Sequence, residues 1–518
     1  MSRTTTAPVV DPAVPAGEPP RAGRRTAAVL ALARFEAREL LVQIQILLFF
    51  ALYVLLVVLR MTFQEGMDAY PVLNTVDRAV QSSPLLFAIA VLVCTNAAAL
   101  RSRKNRTADQ FDVLAMEPWR RTAARVLSVI PFAALTAVVV AVEYTREALK
   151  PGAIGHGSLG ELAVAPLMVL LAGVLGVLLA RALPSGFVPI LFVVAFYLAT
   201  VVLSTLADEG TWWGWLSPIV LTAETGGDPV PSDLLGRPAG WHALYMLGLC
   251  AVGTCGALLL SGGRTRAVKA ATALALAITA AGVIGQVPHD TAGLAEARRT
   301  ASETPEKVQS CKEYDGSTYC SFPEWTGVRD DWAAVVGRVR SLAGGTAADT
   351  ALTVSQRIDT SSGVEADAYL EPYSTPGRVT VGTRWGGNRI PEFAVGVATV
   401  LVAGREDATV EDMCDARPVA IMWLALGGGP TPMDTFQHVR LDDSTTGSGI
   451  VLAPTDSLQL TAHQTDVVRE LLQRPRAEAA ARVKAHWTEL TSAATTTAQA
   501  AKLLGVPVPK GAESCDAS

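Results

Sequence analysis

The cysteines of this 518-residue sequence are the side chains most suited to a metal centre or a disulfide framework. Cys311 and Cys320 stand nine positions apart in the polar segment CKEYDGSTYCSFPEW, and Cys414 and Cys515 follow downstream. Two chemistries are open to them. Zinc favours CxxC or histidine partners at short spacing, and none occurs here. Disulfides require an oxidising compartment, so we favour disulfides on the condition that this segment lies outside the cytosol.

The usual catalytic motifs are missing from the sequence. His438, His463 and His486 lack the i, i+4 pairing of an HExxH zinc site, and no GxSxG nucleophile elbow occurs. No Gly-Lys dipeptide is present, which excludes a P-loop for ATP. We therefore expect no catalytic residue, no metal, no cofactor and no enzymatic activity of the chain's own. The net charge of −5 also makes nucleic acid an unlikely partner in physical terms.

Long apolar segments must carry whatever function remains. The chain is 50% hydrophobic and 18% charged, whereas soluble domains average about 25% charged residues. A helix needs about 20 apolar residues to cross the hydrocarbon layer. We predict seven transmembrane helices, at Leu40–Leu59, Ser83–Leu100, Val126–Val142, Leu162–Ala180, Leu183–Leu206, Trp241–Leu260 and Ala270–Val287. These predicted spans contain no Asp, Glu, Lys or Arg, which argues against a proton-coupled carrier.

The distribution of lysine and arginine predicts the orientation of these spans. Basic residues collect in the loops after the second, fourth and sixth spans, and the opposite loops are mainly acidic. By the positive-inside rule the basic loops are cytoplasmic. We therefore predict a multi-pass protein of the cell membrane with a cytoplasmic N-terminus and an extracytoplasmic domain at residues 288–518.

This orientation bears on the cysteines. Three of the seven fall within predicted spans and act there as small hydrophobic residues: Cys94, Cys250 and Cys255. The other four lie in the predicted extracytoplasmic domain, where they allow three disulfide pairings. We favour Cys311–Cys320, because the intervening YDGSTY can turn back on itself, and this leaves Cys414–Cys515.

Two segments precede the first span. Residues 1–27 are rich in Pro, Ala, Thr and Gly and are predicted to be a disordered cytoplasmic tail. Ala28–Gln43 has helical periodicity, which indicates an amphipathic helix in the membrane interface. A plain extension of the first span is the alternative. The charged positions of this interfacial helix are Arg34, Glu36, Arg38 and Glu39.

The loop after the second span, RSRKNRTADQFDVLAMEPWRR at residues 101–121, has basic flanks around a short amphipathic segment. Pro118 ends that segment. Two interpretations remain equally open: the basic residues anchor the loop at anionic lipid, or the segment docks a cytoplasmic partner.

Residues 288–518 have the composition of a soluble α+β domain. Leu352–Asp359 and Arg378–Trp385 alternate like strands, whereas PEFAVGVATVLVAG, PVAIMWLALGG and the run Asp456–His486 are predicted helices. In the outer loop before the sixth span, tryptophans indicate an aromatic belt at the membrane surface, with ligand binding as the alternative. They are Trp212, Trp213 and Trp215.

ARFEARELL, the first two spans and the loop after them together resemble the ABC-2-type ABC transporter permeases, particularly actinobacterial ones. In that family this loop carries basic residues, a threonine, a short helix and a proline. WLSP at Trp215–Pro218 is also similar, and the resemblance covers roughly residues 28–262. It implies a docking loop made of Arg101, Arg103, Lys104, Arg106, Thr107, Phe111, Leu114, Pro118 and Arg121.

The resemblance implies a transport subunit without its motor. A separate ABC ATPase subunit would dock on the interfacial helix and the loop, and two permeases, as a homodimer or heterodimer, would form the path through the lipid bilayer. This chain adds a further transmembrane helix at 263–287, and its Cys311–Trp325 and Arg417–Leu426 segments resemble outer domains of some actinobacterial permeases. The alternatives are a membrane-anchored extracytoplasmic receptor or enzyme, and a secondary carrier.

The predicted fold class is thus a polytopic α-helical membrane protein of about seven transmembrane helices with a C-terminal α+β extracytoplasmic domain.

Overall fold

The computed structural model describes residues 22–62, 69–105, 116–206, 214, 216–218, 228–360, 364, 370–410 and 413–511. The first part of the chain is a bundle of apolar helices, and the second is a domain of helices and small sheets. This architecture agrees with a polytopic helical membrane protein that carries a C-terminal α+β domain.

The bundle has helices of very different lengths. They are α1 (Ala22–Leu41), α2 (Ile44–Thr62), α3 (Leu73–Ser82), α4 (Leu85–Lys104), α5 (Pro118–Leu127), α6 (Ile130–Ala148), α7 (Leu159–Ala182), α8 (Val188–Leu206), α9 (Ser232–Leu235), α10 (Ala239–Leu260) and α11 (Arg266–Gln286). In the described part of the chain, 6 segments are long and apolar enough to cross a membrane: α2, α3–α4, α5–α6, α7, α10 and α11. The Val188–Val202 part of α8 is a shorter apolar helix, so a seventh crossing stays a prediction.

Helices α4 and α7 form the centre of the bundle, because small residues let their backbones approach closely. Thr95 Oγ1 donates to the Gly173 carbonyl at 3.2 Å and Asn96 Nδ2 to the Gly176 carbonyl at 3.1 Å. A Cβ on Gly176 would lie 2.2 Å from Thr95 Oγ1. Such small-residue contacts with interhelical hydrogen bonds are typical of membrane helix packing.

The second and third predicted spans are the apolar middles of longer segments. Leu73–Arg101 is interrupted where Pro84 ends α3, and Pro118–Ala148 is interrupted at Ser128 and Val129 before Pro131 of α6. The residue before a proline is disfavoured in helical conformation, whereas proline itself is favoured in the first turn of a helix. The added residues bring charged side chains into the bundle that the predicted spans had left out.

The predicted amphipathic segment before the first span is a helix of its own, and its place in a membrane interface stays a prediction. Val42 and Gln43 break α1 from α2, so the alternative of a plain extension is wrong. Ala33, Ala37 and Leu40 of α1 are buried at a helical spacing. Helix α1 begins at Ala22 rather than Ala28, because the Ala- and Arg-rich residues in between are good helix formers.

The carboxy-terminal domain comprises α12 (Thr291–Glu303), β1 (Ser310–Tyr314), β2 (Ser317–Ser321), α13 (Arg329–Leu342), β3 (Thr353–Gln356), β4 (Arg378–Val381), α14 (Arg389–Ala403), α15 (Arg417–Leu426), α16 (Pro432–Val439), β5 (Gly449–Val451), β6 (Leu458–Leu460), α17 (Ala462–Leu472), α18 (Arg476–Ala485), α19 (Trp487–Leu490) and α20 (Thr497–Leu504). Strands β1 to β4 form one sheet in chain order, antiparallel between β1 and β2 and parallel thereafter. Strands β5 and β6 form a second, antiparallel sheet.

The predicted turn between the first two extracytoplasmic cysteines is a tight hairpin. Asp315 and Gly316 have φ of 46° and 73°, as a two-residue turn between twisted strands requires. Cys311 and Cys320 are thereby directly opposite each other and form a disulfide. Cys414 is also disulfide-bonded, and its predicted partner Cys515 lies outside the described residues. Cys94, Cys250 and Cys255 are free and buried, as predicted.

The other predicted elements of this domain hold except one. Both predicted strands are present as β3 and β4, and the two apolar helices as α14 and α15. The run Asp456–His486 is not a single helix. It begins with β6, whose Leu458 and Leu460 alternate towards the core, and α17 starts only after the capping box of Thr461 and Gln464.

Loops of the bundle complete the core of the carboxy-terminal domain. Val72, Ile154 and Leu234, which precede or separate bundle helices, belong to the same buried cluster as Trp325 and Trp332. The segments of Val72 and Ile154 pair as a short parallel bridge, and the ring of Tyr70 packs edge-on against Trp385. The domain is therefore joined to the bundle by shared core as well as by chain.

Candidate functional site

Helix α1 is fixed across one end of the bundle by two ion pairs. Glu36 lies 3.5 Å from Arg125 of α5, and Glu39 lies 3.5 Å from Arg101 at the end of α4. Arg125 also donates to the Ala99 carbonyl at 3.2 Å. The structure thus brings the predicted interfacial helix against the start of the predicted docking loop and against α5, in which that loop ends.

The two arginines of the predicted interfacial helix face away from the bundle. Arg34 and Arg38 are exposed, and Leu30 and Phe35 beside them are 50% and 57% exposed. We call these four residues the docking surface. Its mixture of bases and large apolar side chains suits a protein partner or a membrane interface. Sequence reasoning missed Leu30 and Phe35, because it followed only the charged positions of the helix.

The structure accounts for only part of the predicted docking loop. Arg103 and Lys104 are exposed at the end of α4, Pro118 is the first residue of α5, and Arg121 follows in its first turn. Arg106, Thr107, Phe111 and Leu114 lie outside the described residues, so their predicted helix stays a prediction.

Helix α5 connects this surface to the centre of the bundle. Thr122 hydrogen bonds to Ser261 at the end of α10 at 2.8 Å, and Trp119 lies against Gly263. Through Ser128 and Val129, α5 leads directly into α6. A displacement of α1 and α5 would therefore be transmitted to both α6 and α10.

Arginines gather at this end of the bundle. Arg181, near the end of α7, interacts electrostatically with Arg103, Arg121 and Arg125, and Arg125 in turn with Arg101. We call these five residues the arginine cluster and this end of the bundle the arginine end. Two of its members are in the ion pairs already described: Arg125 with Glu36 and Arg101 with Glu39.

The opposite end, beside the carboxy-terminal domain, holds a buried network of acids and bases. Arg60 of α2 pairs with Glu143 of α6, and Arg60 also donates to the Ala79 carbonyl at 3.1 Å. Asp77 accepts from the Ser158 amide at 2.7 Å. We call this the domain end; its other charged members are Arg78, Glu147, Lys150, Glu161 and Arg237.

The predicted spans contain no Asp, Glu, Lys or Arg, but buried acids of this network lie just beyond their ends. Asp77, Glu143, Glu147 and Glu161 are all at most 4% exposed. Gln81 donates to Glu161, and Lys150 lies 2.5 Å from Glu147. Each acid lies within a few residues of a predicted span, where a boundary drawn by hydrophobicity alone could not include it.

A cleft lies where the bundle meets the carboxy-terminal domain. It has a volume of about 260 Å³ and is lined by Tyr70, Gly152, Glu324 and Asp331 among others. The Tyr70 hydroxyl bonds to Asp331, and burial with that nearby carboxylate raises the pKa of Tyr70. Glu324 accepts from the Ser232 amide at 2.7 Å. The cleft is acidic and is shared by both parts of the molecule.

The described residues contain no group of three or more His, Cys, Asp and Glu that could hold a metal. His438 is half-exposed beside Asp434. Trp212, Trp213 and Trp215 lie outside the described residues, so their predicted role is untested.

Comparisons with protein-family models, with curated proteins and with solved structures find no match for this chain.

Proposed function

We propose that this chain is the membrane subunit of an ATP-driven ABC exporter that works with a separate ATPase subunit. The observation that supports it best is the amphipathic helix α1, clamped across one end of the bundle by Glu36–Arg125 and Glu39–Arg101. A transporter without a P-loop needs such a surface to receive its motor. The resemblance to ABC-2 permeases in sequence supports the same assignment.

In this proposal the arginine end is cytoplasmic and the carboxy-terminal domain is extracytoplasmic. The disulfide at Cys311–Cys320 supports that orientation, because such bonds persist in oxidising compartments. ATP binding by the partner would move α1 and α5, and their contacts with α6 and α10 would carry the motion into the bundle. A second permease copy would complete the path.

Copurification tests the proposal. Full-length protein isolated with its tag from its own cells should bring down an ATPase, identifiable by mass spectrometry, and support ATP-dependent efflux. Arg34→Glu combined with Arg38→Glu should reduce the recovered ATPase by at least tenfold, because it reverses two charges on the docking surface. Arg299→Glu, on the exposed face of α12, is the matched control. Absence of any ATPase with the unmodified protein would overturn the proposal.

Charge reversal at Arg101, Arg103 and Arg106 is expected to weaken docking or to invert the topology. Arg101 also holds Glu39, so this combination alters the position of α1 as well. Arg103→Glu by itself is therefore the cleaner variant, since Arg103 is exposed. Unchanged ATPase recovery and unchanged loop labelling would count against this expectation.

The second candidate function is a membrane-anchored extracytoplasmic receptor. The acidic cleft between Tyr70, Glu324 and Asp331 favours it, since ligand sites are common at domain junctions. Under this alternative the protein would bind an extracellular ligand with no ATPase attached. Retention of ligand binding in a preparation shown to lack any ATPase would favour the receptor over the exporter.

A further inference from the structure

Arg181 occupies an electrostatically unfavourable position in the arginine cluster. It is half-buried, and its Nε is buried without a hydrogen-bond partner. The charged groups that act on it are Arg125, Arg103 and Arg121, all of the same sign. Like charges held together where water is partly excluded are destabilising unless an anion joins them.

The simplest structural explanation for Arg181 does not account for this arrangement. A base near a helix C-terminus normally hydrogen bonds to the last carbonyls and offsets the helix dipole. In the described part of the chain Arg181 makes no such hydrogen bond, and the Leu179 carbonyl is instead taken by the Leu183 amide at 2.8 Å. The guanidinium is thus left for a ligand.

The surface next to Arg181 is apolar and open. Leu183 and Phe187 in the following turn are 56% and 75% exposed, and Leu191 one turn further along α8 is 68% exposed. Gly186 has no atom of another part of the chain within 4 Å of where a Cβ would lie. Arginines beside an exposed apolar helix match a molecule with an anionic head and a hydrocarbon body. An acidic peptide segment has no such body.

We propose that Arg181, together with Arg103, binds the phosphate of an anionic lipid headgroup whose acyl chains lie along α8. A planar guanidinium offers two parallel N–H donors to a phosphate, and Arg125 adds positive charge from behind while it holds Glu36. The lipid would neutralise the cluster and fix the turn between α7 and α8. This site does not depend on the proposed ATPase.

Lipid titration of the full-length protein tests the proposal. Purified in a neutral maltoside detergent, the protein is titrated with dioleoylphosphatidylglycerol or dioleoylphosphatidylcholine, and bound lipid is counted by native mass spectrometry while the melting temperature is followed. We expect selective binding of the anionic lipid. Arg181→Gln should weaken it about fivefold, because one base near an anionic surface contributes about 1 kcal/mol.

Arg264→Gln is the matched control, since Arg264 is exposed at the same end of the bundle but outside the cluster. It should bind the anionic lipid as the unmodified protein does. Should Arg181→Gln fail to fold, Arg103→Gln, at an exposed position, carries the same test, and Arg181→Lys should bind more weakly than the unmodified protein, because a lysine keeps the charge but loses the two parallel N–H donors.

Three results would overturn the proposal. Equal binding of the two lipids would remove the headgroup specificity. Inorganic phosphate that stabilises the protein and is not displaced by phosphatidylglycerol would indicate a site for a free anion. Loss of a copurified ATPase in Arg181→Gln with unchanged lipid binding would show that an acidic protein segment occupies the cluster. Loss of lipid binding with unchanged ATPase recovery would support the proposal whatever the fate of the exporter assignment.

Discussion

The two ends of the helix bundle differ in how their charged side chains are arranged. At the domain end, Glu143 and Asp77 are buried and held by Arg60 and by the Ser158 amide, with a protein domain packed above them. At the arginine end, Arg181 lies among other arginines, and α1 leaves its bases exposed.

The two ends differ in how their charged side chains are paired within the chain. Buried ions are tolerated only when partners and hydrogen bonds compensate for their lost hydration. The domain end supplies ion-pair partners from its own chain, although Asp77 Oδ1, Glu143 Oε2 and Glu161 Oε1 are buried without a hydrogen-bond partner among the described residues. At the arginine end, Glu36 and Glu39 pair with Arg125 and Arg101, and Arg181 Nε is buried without a hydrogen-bond partner among the described residues.

The largest effect is expected for the fragment 288–518 expressed alone, which should be far less stable than the same domain in the full-length chain. It lacks Val72, Ile154 and Leu234, which are each at most 7% exposed in the shared core. Burial of such side chains contributes about 1.5–3 kcal/mol each, so their joint loss costs about 5 kcal/mol or more. Circular dichroism and thermal melting should show a largely unfolded fragment.

Ile154→Ala in the full-length chain separates core loss from truncation and should cost about 2–5 kcal/mol. Leu159→Ala is its control, because Leu159 is nearby but 84% exposed. A fragment that melts like the intact domain would show that the bundle only carries it, in agreement with the receptor alternative.

Arg60→Gln tests whether the ions of the domain end compensate each other. It leaves Glu143, whose side chain is 4% exposed, without its cation, and should destabilise the bundle by about 3 kcal/mol. Detergent-driven unfolding in mixed micelles measures it. Adding Glu143→Gln should recover part of the loss, since it removes the uncompensated charge.

The matched control for that pair is Glu296→Gln. Glu296 and Arg299 form an exposed pair at 2.8 Å with side chains 64% and 58% accessible, and its loss should cost less than about 1 kcal/mol. Equal effects of the buried and exposed changes would contradict the view that the domain end relies on buried ion pairs.

Sequence periodicity was sufficient for the apolar framework of both ends. The Asp315-Gly316 turn, the free cysteines in the bundle and helix α1 followed from local rules about turns, hydrophobicity and amphipathic spacing. Those rules depend only on neighbours along the chain, and so they hold before the fold is known.

The charge network and the shared core depended on contacts distant in sequence. Glu143 is 83 positions from Arg60, and the burial of Val72 depends on a domain that begins more than two hundred residues later. Hydrophobicity alone placed Asp77 and Glu161 outside the predicted spans. In the sequence, the arginines of the cluster indicated only the orientation of the spans. Their proximity could not be predicted, because Arg181 meets Arg103 and Arg125 through packing of α4, α5 and α7.

Removal of the disulfide should destabilise the carboxy-terminal domain by less than the changes above and leave the arginine end unaffected. Cys311→Ala with Cys320→Ala opens a loop of about ten residues, which corresponds to about 2.5 kcal/mol of chain entropy. The melting temperature of the carboxy-terminal domain, followed by tryptophan fluorescence, should fall, while lipid binding at the arginine end should not change. Cys94→Ala, a free buried thiol, is the control for loss of a sulfur atom. A melting curve unaffected by the double change would contradict a stabilising role of this bridge.

The pH response of the carboxy-terminal domain should be the smallest effect. Burial raises the pKa of Glu406 above that of an ordinary glutamate, although hydrogen bonds from Tyr373 and Thr380 act in the other direction. Because the folded state then holds its proton more tightly than the unfolded state, this residue's contribution favours folding at low pH and is lost as pH rises through the folded pKa. Glu406→Gln removes this contribution, so the melting temperature of the variant relative to the unmodified protein should rise with pH between mildly acidic and neutral solution, even though one backbone amide loses an acceptor. Glu303→Gln, at an exposed position, should leave the pH dependence of the melting temperature as it is. A relative melting temperature that falls with rising pH would mean that the carboxylate is stabilised by its three donors more than burial disfavours it, and that the carboxy-terminal domain compensates a lone buried acid through hydrogen bonds alone.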